Sequence, residues 1–265
     1  MDMHKKSIIL ITEPRCGSEL VMNHLANSTN FENTGEFLHF AFPKWITTAT
    51  DISDIGSFSQ RVKLIPIDLS LHTGNEVRKF VTNEFNNRID KLMSIEHNFI
   101  TKTFSSSYFY RQDFTNFERL FDKFTVILLL RKDTFKSVIS NSICNKIQHW
   151  HVSKNASAEQ IKEKLEFLRF NADEQEFINA TKFFNQLRIL AYNMSAIDKE
   201  VKIIYFEDFE DNPTTQLNKL LNTDVDISIP LKNAKFIDDH EKYIINIDRL
   251  RYLHNKYSMP LYANW

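Results

Sequence analysis

Two arginines stand where an apolar run gives way to a helical pattern, and these are the places in this chain best suited to hold an anion. The first lies in Thr12-Glu13-Pro14-Arg15-Cys16-Gly17-Ser18-Glu19-Leu20. The apolar, β-branched run over 7–12 reads as a buried parallel strand. Leu20, Val21, His24 and Leu25 repeat at helical spacing, which puts Ser18 near the helix start as an expected hydroxyl cap. Unpaired N–H groups and the positive end of a helix dipole would face whatever lies above this loop. Arg15 adds a permanent charge with forked donors, and Gly17 permits close backbone approach. The Gly-Lys-Ser/Thr ending of a triphosphate-binding loop is missing. On spacing alone, an ordinary strand-to-helix turn is as good a reading as a phosphate site.

The second arginine is Arg131, which ends the nearly uninterrupted apolar run over 124–130, a strand expected to be buried on both faces. Asp133 is placed to cap the helix that follows, and Ser137 and Ser140, three apart, share one side of it. Alone, a strand-end arginine is usually solvated and helix serines face water. Two anion-friendly junctions in one sheet make the stronger case. His149-Trp150-His151 offers imidazoles at i and i+2, but no further ligand set at diagnostic spacing joins them, so a metal site is not expected.

The elements that would position these residues follow in order. A first helix spans about 19–27, and an irregular, weakly patterned stretch runs to about 69. Val77, Phe80, Val81, Phe85, Ile89, Leu92 and Met93 mark one face of a helix within 75–94. A short strand at 98–103, a helix at 116–122 and the strand at 124–130 come next. The polar segment 153–171 reads as a mobile flap. A long helix at 173–198 carries Phe177, Phe184, Leu187, Ala191 and Met194 on one side. A strand at 201–206 follows, then a helix beginning near Pro213 and a last helix at about 246–256. Alternating strands and helices predict an α/β fold, a single domain over 1–265 with a mostly parallel central sheet flanked by helices. Ligands on such sheets bind at the carboxyl ends of strands.

Composition narrows the function. The 265 residues carry Lys+Arg 33 against Asp+Glu 34, a formal net charge of −1, so no chain-wide basic field argues for nucleic acid. Any basic site must be local. Two cysteines far apart form neither a disulfide framework nor a metal-ligand spacing. No apolar run approaches the ~20 residues needed to span a bilayer. The start of the chain lacks a signal-peptide pattern, and the protein is expected in the cytoplasm.

Three blocks together resemble the sulfotransferases that use 3′-phosphoadenosine 5′-phosphosulfate (PAPS), closest to the bacterial carbohydrate, trehalose-type enzymes. The blocks are Pro14 with Arg15-Cys16-Gly17-Ser18-Glu19-Leu20, Leu130-Arg131-Lys132-Asp133 through Ser140, and Ile204-Tyr205-Phe206-Glu207-Asp208-Phe209 with Pro213. The resemblance implies a P-loop-like sulfotransferase architecture. The first block would hold the 5′-phosphosulfate, Arg131 and Ser140 the 3′-phosphate, and the third would pack behind the site. It also implies a base: Gly35-Glu36-Phe37 looks like the family segment whose glutamate removes the acceptor hydroxyl proton, a role carried to Glu36. His39 is a competing base, since imidazole titrates in the useful range. Lys102, read as ending a strand, resembles a family lysine that neutralises the transferred group. Sulfuryl transfer has no obligatory divalent ion, and arginine, lysine and helix N–H donors can stabilise its charge. PAPS would be the donor, its bisphosphate PAP the product, and a small-molecule or glycan hydroxyl the acceptor, held by the segment 30–69.

Some residues depart from the family pattern. Glu19 replaces Thr or Ser at the anion loop and would repel phosphate if it pointed inward. Cys16 replaces a serine, and a position near a helix start is expected to lower its pKa and make it reactive. The Arg-Lys-Gly segment of the cytosolic animal enzymes is missing near the C-terminus. Two other readings compete. One is a degenerate sulfotransferase fold kept as a nucleotide-binding or interaction module, and the other, disfavoured by the missing lysine, is a P-loop kinase.

Overall fold

Short runs rich in Ile, Leu and Val form strands whose side chains are buried on both faces, as parallel strands covered by helices must be. A computed structural model describes residues 7–13, 15–38, 83, 86–104, 115–147, 163–196, 201–221 and 240–258, together with the backbone of 45–49 and 62–66. In chain order the elements are β1 (Ile8–Thr12), α1 (Ser18–Thr29), β2 (Glu32–Asn33), β3 (Trp45–Ala49), β4 (Val62–Pro66), α2 (86–94) and β5 (Phe99–Phe104). Then come α3 (Thr115–Lys123), β6 (Thr125–Leu130), α4 (Thr134–Ile147), α5 (Glu174–Ala196) and β7 (Lys202–Tyr205). The chain continues through α6 (Phe206–Asp211), α7 (Pro213–Leu221) and α8 (Ile247–Tyr257).

The central sheet has five strands in the order β2-β5-β1-β6-β7, and every pairing in it is parallel. Alternation along the strands supplies two cores. Ile8 and Leu10 of β1 join Ile100, Ile127 and Leu129 beneath Val21, Met22 and Leu25 of α1 and Val138 and Ile139 of α4. Ile9 and Ile11 turn the other way, packing with Val126 and Leu128 against Leu92 of α2, Leu120 of α3 and Leu187 of α5. The α/β reading therefore holds, with helices on both faces of a parallel sheet.

Strand order also fixes where a ligand belongs. After β1 the chain crosses to β2 on one side, whereas after β6 it proceeds to β7 on the other. The loops leaving β1 and β6 thus diverge, which makes their carboxyl ends the topological switch point of the sheet. Arg15 and Arg131 stand on those two loops.

Three sequence expectations change. The irregular stretch to about 69 contains an antiparallel pair, β3 with β4, two five-residue runs too short and too irregular in their alternation to be read as strands. Lys102 lies inside β5, opposite Leu10, and not at a strand end. A short helix, α6, precedes Pro213 directly after β7. Of the segment 153–171, residues 163–171 are described. There Leu165 is buried, and Phe170 exchanges backbone hydrogen bonds with Tyr243 and Ile245 at 3.1 and 2.9 Å, tying this part to the segment that leads into α8. Among the described residues no helix is long and apolar enough to cross a membrane.

Candidate active site at the strand ends

The loop after β1 turns sharply because two of its residues adopt left-handed backbone: Arg15 at φ 64° and Gly17 at φ 76°. Gly17 occupies the cap position of α1, and its carbonyl accepts the N–H groups of Leu20 and Val21 at 3.1 and 3.3 Å. No side chain caps this helix. The expected capping role of Ser18 is therefore corrected: Ser18 is the first helical residue, buried, and its Oγ accepts a hydrogen bond from Lys102 Nζ at 3.3 Å. Gly17 is also needed sterically, since a Cβ there would lie 1.9 Å from the Phe206 ring.

The two arginine junctions meet. Arg15 Nε donates to Ser140 Oγ on α4 at 3.1 Å, and Ser137 Oγ on the same helix face donates to the Arg15 carbonyl at 3.5 Å. The three-residue spacing of the serines thus aims both at the first loop. Asp133 caps α4 as expected, accepting Phe135 N–H at 3.0 Å. Arg131 stacks on the Phe206 ring, 4.5 Å from its centroid, and its Nε lies 3.2 Å from Glu207 Oε1, a close ion pair rather than an aligned hydrogen bond. Glu207 Oε2 accepts the Lys132 N–H at 3.0 Å. The third sequence block, at the end of β7, therefore underlies both arginine loops.

A second charged group sits beside them. Lys102 Nζ lies 2.8 Å from Glu36 Oε1 as well as donating to Ser18, which brings together two residues 66 positions apart. The turn bearing Glu36 is fastened to β5: Lys102 N–H and Thr101 Oγ1 donate to the Gly35 carbonyl at 2.8 and 3.2 Å, and Thr34 N–H donates to the Ile100 carbonyl at 2.9 Å. Buried Arg88 of α2 donates to the Phe37 carbonyl at 2.8 Å. Glu36 is therefore on a turn anchored to both β5 and α2.

Burial reverses one chemical expectation. Cys16 is buried, and desolvation pushes its thiol up to about 12, so the pull expected from a helix start loses to the apolar surroundings. The same burial pushes the Glu13 carboxyl well above the usual carboxylate range. The shift favours the neutral acid at Glu13, next to the loop after β1. Glu19, in the first turn of α1, is exposed, so water screens its charge.

Glu13 makes stability pH-dependent. An unfolded carboxyl releases its proton near 4.5, while the folded protein keeps it, so the folded state binds more protons above that pH. Stability conferred by this group is then full below 4.5 and falls as pH rises toward the folded pKa, by roughly 1.4 kcal/mol per pH unit. Glu13→Gln keeps the shape and removes the proton. Urea unfolding between about pH 5 and 8 should show the variant gaining on the wild type as pH rises; parallel curves would refute this.

Among the candidates, Arg15, Cys16, Gly17, Ser18, Glu19, Leu20, Glu36, Lys102, Arg131 and Ser140 are all described. Arg15 with Ser140, and Lys102 with Glu36 and Ser18, are brought into contact. Pro14, His39 and His149-Trp150-His151 lie outside the described residues. No group of three or more His, Cys, Asp or Glu able to hold a metal ion occurs among the described residues. Sequence reasoning missed Arg88, Arg188 and the pairing of Glu207. Arg188 had left a signal, an arginine four residues after Phe184 on the apolar face of α5.

No family model and no curated protein sequence matches this chain. Among solved structures it is similar to a sulfotransferase from Alicyclobacillus acidocaldarius, at 12% identity and a TM-score of 0.42, covering 96% of this chain and 97% of that one. It is also similar to the sulfotransferase domain from the curacin biosynthetic pathway, at 15% identity and a TM-score of 0.44, covering 98% and 94%. Likeness at this level carries no argument about what this chain does.

Proposed function

We propose that this chain transfers a sulfuryl group from PAPS to a hydroxyl acceptor, with carbohydrate the favoured class, by in-line displacement. The observation that supports it most is the Lys102 ammonium, shared between the Glu36 carboxylate at 2.8 Å and the Ser18 hydroxyl at 3.3 Å. A base, a cation and the start of an anion-binding helix stand in one connected set. Glu36 accepts the acceptor hydroxyl proton as the oxygen forms its bond to sulfur. The bond from sulfur to the 5′-phosphate oxygen breaks, and its electron pair leaves with the bisphosphate. Lys102, Arg15 and the N–H groups at the start of α1 stabilise the charge that moves onto those oxygens.

In this reading the loop of Pro14, Arg15, Cys16, Gly17, Ser18, Glu19 and Leu20 holds the 5′ end of the donor, and Arg131 with Ser140 holds the 3′-phosphate. The Arg15–Ser140 hydrogen bond links the two ends. The segment 30–69 contributes the acceptor side, and the chain acts as one domain.

One observation favours a second reading, a nucleotide-binding module without transfer. Glu207 already sets a carboxylate against Arg131 and the Lys132 N–H, groups that a phosphate would use. Incubation with radiolabelled PAPS and a panel of sugars and other alcohols distinguishes the two. Label in an acceptor supports transfer; bisphosphate binding with no labelled acceptor supports the module.

A further inference from the structure

We infer that Arg188 is a positioning residue for the second anion site, acting through the turn that carries Arg131; this rests on the donor reading proposed above. Arg188 projects from α5 and is buried, 7% exposed, beside the buried Phe184, Asn185, Leu187 and Ala191. Its Nη2 donates to the carbonyls of both Arg131 and Lys132 at 3.1 Å. A buried guanidinium is costly unless its donors are used, so the sequence retains a charge at a core position where an apolar side chain would pack. That the partners are two consecutive carbonyls of one strand-end turn gives the charge its purpose.

The turn is fixed from three directions. Arg188 takes the carbonyls of residues 131 and 132, Glu207 takes the Lys132 N–H, and Asp133 takes the Phe135 N–H. With these backbone groups engaged inside the protein, an anion at this junction is met by the Arg131 side chain, whose terminal amino groups make no hydrogen bond among the described residues. Both carbonyl oxygens point their negative ends at Arg188. Freed of Arg188, the turn relaxes, the carbonyls are available to face the site, and Arg131 loses its fixed origin.

The loop after β1 has contacts of its own, Arg15 with Ser140 and Ser18 with Lys102. Arg188 should therefore govern recognition of a 3′-phosphate and leave recognition of a 5′-phosphate unchanged. The test compares affinities for adenosine 3′,5′-bisphosphate and adenosine 5′-monophosphate by calorimetry, in the wild type, Arg188→Met and Arg188→Lys, with thermal melts of each. The wild type prefers the bisphosphate, Arg188→Met loses about tenfold or more of that preference with monophosphate affinity unchanged, and Arg188→Lys lies between. Should the methionine variant not fold, the lysine variant alone must show a reduced preference. A full preference in a folded variant, or equal weakening toward both ligands, overturns the role of Arg188 while the donor reading stands. A wild type with no preference for the bisphosphate overturns both.

Discussion

Glu36→Gln should lower sulfuryl transfer by roughly 10²- to 10⁴-fold while adenosine 3′,5′-bisphosphate binds as well as before. The amide keeps the size of the side chain and can still face Lys102, but it cannot take a proton. In the structure Glu36 is paired to Lys102 on a turn that β5 and Arg88 hold in place, so the substitution changes chemistry more than position. In the proposed transfer, the pairing would couple base to donor: as donor oxygens drew the ammonium toward themselves, the carboxylate would lose part of its counter-charge and become a stronger proton acceptor. Steady-state turnover with a fixed acceptor, alongside calorimetric titration, reads the two effects separately. Retained turnover would move the base elsewhere, with His39 the next candidate.

Gly17→Ala should cost about 2–4 kcal/mol of stability and abolish bisphosphate binding. Two independent penalties act. The residue sits at φ 76°, where a side chain is strained, and the new Cβ would fall 1.9 Å from the Phe206 ring. That ring cannot simply swing aside, because it is 5% exposed, belongs to the core and carries the Arg131 guanidinium on its face. A displacement that makes room for the methyl group therefore disturbs both anion loops at once. Gly35→Ala is the matched control. Its φ of 65° is also left-handed, but nothing lies within 4 Å of its Cβ, so only the backbone penalty of about 1 kcal/mol remains. Urea unfolding should rank the two variants in that order; equal losses would mean that the Phe206 contact is relieved by relaxation.

Both strand-to-helix junctions were legible in the sequence because each joins a pattern to its interruption. An apolar run, a turn residue and a helical repeat identify β1 with Arg15 and β6 with Arg131, and the serine spacing identifies the face of α4. What could not be read is how separate segments pack. The Lys102–Glu36 pair depends on the register of β5 beside β1 and on the turn after β2, neither of which local periodicity encodes. Cys16 shows the same limit: a helix start suggests a reactive thiol, but the apolar shell that keeps it protonated is assembled from distant residues. Ser18 was misread by one position because Gly17, with its left-handed backbone, begins the helix without a hydroxyl cap. Arg188 was visible only as an anomaly on an apolar helix face, and its meaning lay in carbonyls 56 and 57 residues away.

The central claim is a two-phosphate clamp built from the ends of β1 and β6. Calorimetric titration of the wild type, Arg15→Ala and Arg131→Ala with adenosine 3′,5′-bisphosphate tests it most directly. Saturable binding at one site is expected, weakened by each substitution about tenfold or more, as loss of a charge-assisted contact to phosphate requires. No heat of binding in the wild type, or binding untouched by both substitutions, would contradict the clamp.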